Sequence, residues 1–240
     1  MPNFHIGTSG WSYKDWNGRF YPEDIPERDH LPYYQKNYKT VEINSTFYHL
    51  PSEKNVVSWY NNTDEEFIFA VKASRYITHV KRLIDCGEPV QNFFTVIDHF
   101  QHKCGPILWQ LPPNMNKNEV RLKEFIALLP KNFKHAFEFR NPEWFTDSVY
   151  EILRKNDCAF VIYDMPGLQT PEIITADFAY VRFHGAENLY NSRYSDEELL
   201  KWKAKMRDWQ VKDAYIYFNN DSHAWAVENA MFLKEILGDE

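Results

Sequence analysis

The chain has 240 residues, with 44% hydrophobic and 25% charged side chains and a formal net charge of −7 at pH 7. That length can bury a substantial core in one large domain or two small ones, and the composition is ordinary for a soluble globular protein. The acidic balance argues against a whole-surface nucleic-acid binder, which would be basic, and leaves room for a local basic cleft.

Strand and helix signals alternate from the N-terminus onward. Phe4–Gly7 (FHIG) reads as a first strand, running directly from the start with no signal-peptide pattern. Thr40–Asn44, Phe67–Lys72, Pro106–Gln110, His135–Arg140, Ala159–Asp164, Phe178–Phe183 and Ala214–Phe218 are further short apolar runs, giving eight strand candidates. The strongest helical periodicities lie at Val90–His102, Glu119–Leu129, Ser148–Lys155, Asp196–Trp209 and Ala224–Leu237. Pro51, Pro89, Pro142 and Pro171 punctuate the loops. No apolar run approaches the ~18 residues of a membrane helix. Cys86, Cys104 and Cys158 lie far apart without a CxxC pair, as expected of reduced thiols in a cytoplasmic protein with no membrane partner.

Eight strands alternating with helices predict an α/β (β/α)₈ TIM barrel, one domain over residues 1–240. A doubly wound open sheet is the alternative, but GTSGWSY after the first strand is not the GxGxxG turn such sheets usually carry. In a barrel each strand has one face on the helices and the other on the interior. Val41 and Ile43 then face helices, which turns Glu42 and Asn44 inward. The same alternation turns Glu138 and Arg140 inward against Phe137 and Phe139, and Arg182 and His184 inward against Val181 and Phe183.

Lys72, Gln110, Asp164, Asn219 and Asn220 also stand at strand ends, so a polar rim is expected at the C-terminal mouth, where such barrels keep their active sites. Neighbouring strand ends suggest the pairs Glu42–Lys72 and Arg140–Asp164. Glu138 and His184 are then left for proton transfer, and Arg182 for a ligand anion. Glu42, Lys72 and Asp164 complete the candidate catalytic set. Arg182, Arg140, Asn44, Gln110, Asn219, Asn220, Trp11 and Tyr13 form the candidate substrate-binding set. Lys72, Arg75, His79, Lys81 and Arg82 form a charge run beside the mouth, a pattern more often simply solvated. Asp221 or Ser222 reads as the cap of the last helix. Trp11, Tyr13, Trp16, Phe47, Tyr48, Trp144, Phe145 and Trp225 gather after strands and could stack on sugars or bases, though packing beneath loops is the commoner fate of a large ring.

GTSGWSY, FYP, VEINSTFY, FAVKASRYITH, QLPP, FEFRNPEW, YVRFHG and YFNND…AVENA occur in order from Gly7 to about Leu233. Together they resemble the YecE-like family, domain of unknown function 72. The resemblance implies a (β/α)₈ barrel whose cleft is lined by Glu42, Asn44, Lys72, Glu138, Arg140, Arg182, His184, Asn219 and Asn220. One departure is Asn141, where the family more often has His. The family carries no established reaction.

The favoured expectation is a hydrolase or lyase acting on a small anionic substrate, a phosphosugar, phosphodiester or nucleic-acid fragment, with no required cofactor. Alternatives are a divalent-metal enzyme using Glu42, Glu138, Asp164 and His184, a glycosidase using Glu42 and Glu138, and a non-catalytic metabolite or nucleic-acid binder. The oligomeric state is left open.

Overall fold

The computed structural model describes residues 1–238. Eight parallel strands form the expected barrel: β1 (Asn3–Thr8), β2 (Thr40–Ile43), β3 (Ile68–Lys72), β4 (Cys104–Leu111), β5 (His135–Phe139), β6 (Cys158–Met165), β8 (Phe178–Phe183) and β9 (Asp213–Phe218). The two-residue β7 (Leu168–Gln169) folds back antiparallel onto β6. The eight run in sequence order around the barrel, with β9 beside β1. Helices α1 (His30–Tyr34), α2 (Ser45–Tyr48), α3 (Glu53–Asn61), α4 (Gly87–Ile97), α5 (Glu119–Leu128), α6 (Asp147–Lys155) and α7 (Asp196–Arg207) lie in the connections, all but that from β6 to β8, and α8 (Trp225–Gly238) follows β9. No described helix is long and apolar enough to cross a membrane.

Local chemistry explains where the helices start. Ser195 and Glu198 form a reciprocal capping box at the head of α7. Asn118 accepts from the Arg121 amide at 2.9 Å to cap α5. The strands from β3 onward, β7 aside, divide their side chains between two cores. Val41, Ile43, Phe69, Val71, Phe137, Phe139, Val181 and Phe183 pack outward against the helices. A smaller interior cluster contains Ala70, Leu108, Ala136, Val161, Tyr163, Phe178, Tyr180, Tyr215 and Tyr217.

The weakest join is between β1 and β2, where a single bridge links Ser9 and Glu42. Below it the Tyr34 hydroxyl wedges between the strands, accepting from the Thr8 amide at 2.9 Å and donating to the Thr40 carbonyl at 3.1 Å. Gly7 makes this approach feasible, because a Cβ there would sit 2.2 Å from the Thr40 carbonyl oxygen. The N-terminal pole is closed by polar pairs: Lys134 meets Asp213 at 2.6 Å, with His5 at 3.4 Å from the same carboxylate.

Candidate functional site

At the C-terminal mouth the inward positions converge on one guanidinium. Arg182 Nη1 donates to Glu138 Oε2 at 2.7 Å, and Nη2 donates to Glu42 Oε1 at 2.8 Å. All three side chains are fully buried. The second oxygen of Glu42 accepts from the Tyr180 hydroxyl at 2.6 Å, and Oε1 also accepts from Ser9 at 2.7 Å. Glu138 Oε1 accepts from Gln110 at 2.5 Å and from Arg140 Nε. Burial alone would raise the Glu138 carboxyl, but Arg140 and Arg182 outweigh it and hold the group well below the usual carboxylate range.

His184 is locked as a neutral ring. Arg140 Nη2 lies 2.9 Å from Nε2, and arginine can only donate, so Nε2 accepts. The proton therefore sits on Nδ1; Asn219 Nδ2 stands 3.1 Å from it, so the amide must turn over to present Oδ1 as the acceptor. Burial, then Arg182 and Arg140, push this imidazole well below its ordinary range.

Lys72 differs from the other cations. It is half-buried at the end of β3, with Nζ 4.3 Å from the centre of the Phe47 ring. Among the described residues its amine makes no ion pair, and the expected Glu42–Lys72 pair is replaced by Glu42–Arg182. Burial, followed by the positive charge of Arg182, lowers its pKa to about 7, with Glu138 and Glu42 opposing. Beside it His79 packs edge-on against Phe47, lowered to about 4 by burial, Lys72 and Arg75.

Across the mouth stands Asp221, read from sequence only as a helix cap. Burial raises its carboxyl to about 8, with a hydrogen bond to Tyr13 opposing the rise. The Tyr13 ring covers Gly10, whose added Cβ would meet the phenol oxygen at 2.7 Å. Buried side-chain atoms without a partner among the described residues include Asn44 Oδ1, Arg182 Nε and Asp221 Oδ1, all on residues of this mouth.

The structure thus brings together Glu42, Asn44, Lys72, Gln110, Glu138, Arg140, Arg182, His184, Asn219 and Tyr13. Three expected members lie elsewhere. Asp164 follows inward-facing Tyr163 and so points out, hydrogen-bonded to Trp202 of α7; it does not pair with Arg140. Arg140 instead contacts Glu138, His184 and the Met165 sulfur, the last at 2.8 Å. Asn220 likewise points outward, donating to Ser192 O at 2.9 Å and to Asn229 of α8 at 3.0 Å. Trp11 packs edge-on against Trp59 of α3, with ring centres 5.4 Å apart. Trp16 and Trp144 are wholly buried and cannot serve as sugar platforms. Arg182, expected free for an anion, is spent on two carboxylates. Asn141 caps a turn by accepting from the Glu143 amide at 3.0 Å.

The metal and glycosidase alternatives lose their donors to the same arrangement. Glu42 and Glu138 are clasped by one guanidinium, His184 Nε2 is capped by Arg140, and Asp164 is outside. Among the described residues no group of three His, Cys, Asp or Glu is placed to hold a metal ion. A cleft of about 410 Å³ lies at the opposite pole, lined in part by Lys131, Lys134, His135 and Arg154. It shares no residue with the mouth.

The model of the protein family of unknown function DUF72 matches residues 5–240. The chain belongs to this family. Among DUF72 relatives, UPF0759 protein YunF of Bacillus subtilis (strain 168) is 27% identical over 271 aligned positions, covering 98% of this chain and 95% of the relative. UPF0759 protein YecE of Escherichia coli (strain K12) is 25% identical, covering 97% and 92%. A DUF72 family protein from Thermotoga maritima MSB8, solved by crystallography, superposes with a TM-score of 0.89 at 32% identity, covering 99% of this chain and all of that one. The Enterococcus faecalis V583 DUF72 structure superposes at 0.85 with 20% identity, a likeness of fold alone.

Proposed function

We propose that the DUF72 barrel mouth binds a small anionic substrate and that Lys72 is its principal proton-transfer group, in a hydrolase or lyase reaction. The observation that carries this reading is the unpaired Lys72 amine beside a saturated ion cluster. Arg140 and Arg182 balance Glu138 and Glu42, so the protonated fraction of Lys72 is charge in excess of the paired cluster. The excess charge favours an anion. The unpartnered Arg182 Nε is a further donor for an anion, while Asn44 Oδ1 and Asp221 Oδ1 can accept from hydroxyl groups of the ligand.

Glu138 and His184 fit proton transfer poorly. A strongly acidic carboxylate with three donors on it is a weak base, and an imidazole whose lone pair faces a guanidinium has nothing left to accept with. They are better suited to holding Arg140 and Arg182 in place. Lys72 and Asp221, at about 7 and about 8, are the mouth groups poised near neutrality.

Thermal shift with inorganic phosphate at constant ionic strength tests the reading. A saturable rise in melting temperature is expected in the unaltered protein, as for any ligand that binds only the folded state, and a markedly weaker one in Lys72→Met. An equal rise in both proteins, or none in the first, overturns it.

A further inference from the structure

Lys72 is placed for more than proton transfer. Its amine lies at the end of a barrel strand, on the face of Phe47, with access to solvent and no carboxylate within ion-pair distance among the described residues. Every other cation of the cluster is tied to an anion. A lysine that merely neutralised the cluster would be expected against Glu42 or Glu138, yet both are taken by arginine. At the rim the exposed Arg75 also makes no ion pair among the described residues, and it sits with Lys72 in the electrostatic neighbourhood of His79. An amine with an unpaired cation three residues further along the chain suits a substrate that is an electrophile at one end and an anion at the other.

We propose that Lys72 Nζ condenses with the carbonyl carbon of a small aldehyde or ketone carrying a carboxylate or phosphate, so that the site performs lyase chemistry through an imine. This rests on the anion-binding reading above and narrows it from hydrolase or lyase to lyase. The amine lone pair adds to the carbonyl carbon while the carbonyl π pair moves to oxygen, which takes up a proton. Nitrogen then loses one of its protons, giving a neutral carbinolamine. A second proton converts the hydroxyl to water, which leaves as the nitrogen lone pair forms the C=N bond. The net change is one carbonyl, one amine and one proton giving one iminium ion and one water. The iminium then takes up the electron pair of the bond from the α-carbon to the β-carbon, becoming an enamine. The β fragment leaves as a carbonyl, its hydroxyl proton passing to a base. Protonation of the enamine followed by addition of water releases the shortened carbonyl and the free amine.

The surroundings favour the reactive form of the amine. Burial and the nearby Arg182 and Arg140 disfavour the ammonium, while Glu138 and Glu42 are too fully engaged by arginine to restore it. An ordinary lysine with pKa ~10.4 is neutral to about one part in a few thousand at pH 7, whereas one near 7 is about half neutral.

The test is reductive trapping on the full-length protein at pH 7. Pyruvate, glyoxylate and dihydroxyacetone phosphate are each added with sodium borohydride, and the product is mapped by peptide mass spectrometry. At least one probe should label Lys72 on the order of a thousandfold faster than the average lysine, from the difference in neutral fraction. Inorganic phosphate should slow the labelling. Lys72→Arg keeps the cation but cannot form the imine, so it should lose the adduct while retaining a phosphate-dependent rise in melting temperature. Labelling spread over surface lysines, or persisting in Lys72→Arg, overturns the imine. A phosphate shift without trapping by any of the three probes also overturns it and leaves the anion-binding reading standing. Absence of the phosphate shift in the unaltered protein overturns both.

Discussion

Lys72 sets a clear demand on pH. Imine formation needs Lys72 neutral, which holds above about 7. Trapping rates with pyruvate should therefore rise through about pH 7, well below the range in which an ordinary lysine responds. Lys72 also leaves a stability signature. Its folded pKa lies below the unfolded value, so the cost is full below about pH 7 and fades as pH rises toward the ordinary lysine range. Lys72→Met should thus melt higher than the unaltered protein at pH 6, by roughly a few degrees, with the advantage shrinking by pH 9. Glu138→Gln is the contrasting case. It leaves Arg182 half-paired and Arg140 without its carboxylate in a buried setting, an expected loss of about 3–5 kcal/mol by urea unfolding. The sequence exposes Glu42, Glu138, Arg182 and His184 because each alternates with apolar neighbours that must face the helices. Asp164 and Asn220 mislead because standing at a strand end does not fix the face, and the alternation puts Tyr163 and Asn219 inward instead. Tyr180 stays hidden, since a tyrosine in a run of aromatics reads as core, although its hydroxyl completes the Glu42 site.

Among the elements, the strands and the larger helices announce themselves through period and caps. The α5, α6, α7 and α8 helices begin within a residue or two of where their periodicity starts. By contrast α1 and α2 are five and four residues long, too short to show a period, and are set by packing. The β1–β2 seam is illegible for a similar reason: its hydrogen bonds pass through the hydroxyl of Tyr34, which lies outside both strands. Removing that hydroxyl in Tyr34→Phe leaves a buried amide and a buried carbonyl short of partners, an expected cost of about 1–3 kcal/mol. Hydrogen exchange at the Thr8 amide should accelerate, while amides in the β8–β9 ladder stay protected. Equal acceleration in both ladders would mean that Tyr34 supports the whole barrel and not its seam. Gly7→Ala should be the harsher change, since the clash is with backbone that has no rotamer to escape into.

For the molecule as a whole, the sign of the mouth opposes the sign of the chain. The net charge of −7 repels anions at long range, while the protonated fraction of Lys72, unpaired beside the arginine–carboxylate cluster, attracts them at close quarters. Added salt screens the outer repulsion first, because the Debye length falls to ~8 Å at 0.15 M, and it screens the half-buried cluster less. Small-anion affinity at the mouth should therefore change by less than about threefold between 20 and 150 mM salt, when an anion too large to enter supplies the ionic strength. A nucleic-acid ligand obeys another law. Each phosphate neutralised on duplex DNA contributes a slope of about −0.9 in log K against log salt, so a polymer contacting several would lose affinity by orders of magnitude. Titrating inorganic phosphate and a short DNA duplex side by side over that range separates the two ligand classes. Weak, salt-tolerant phosphate binding with no retained duplex assigns the mouth to small anions. Duplex binding with a steep slope would instead point to the Lys72, Arg75, Lys81 and Arg82 run beside the mouth as a phosphate track.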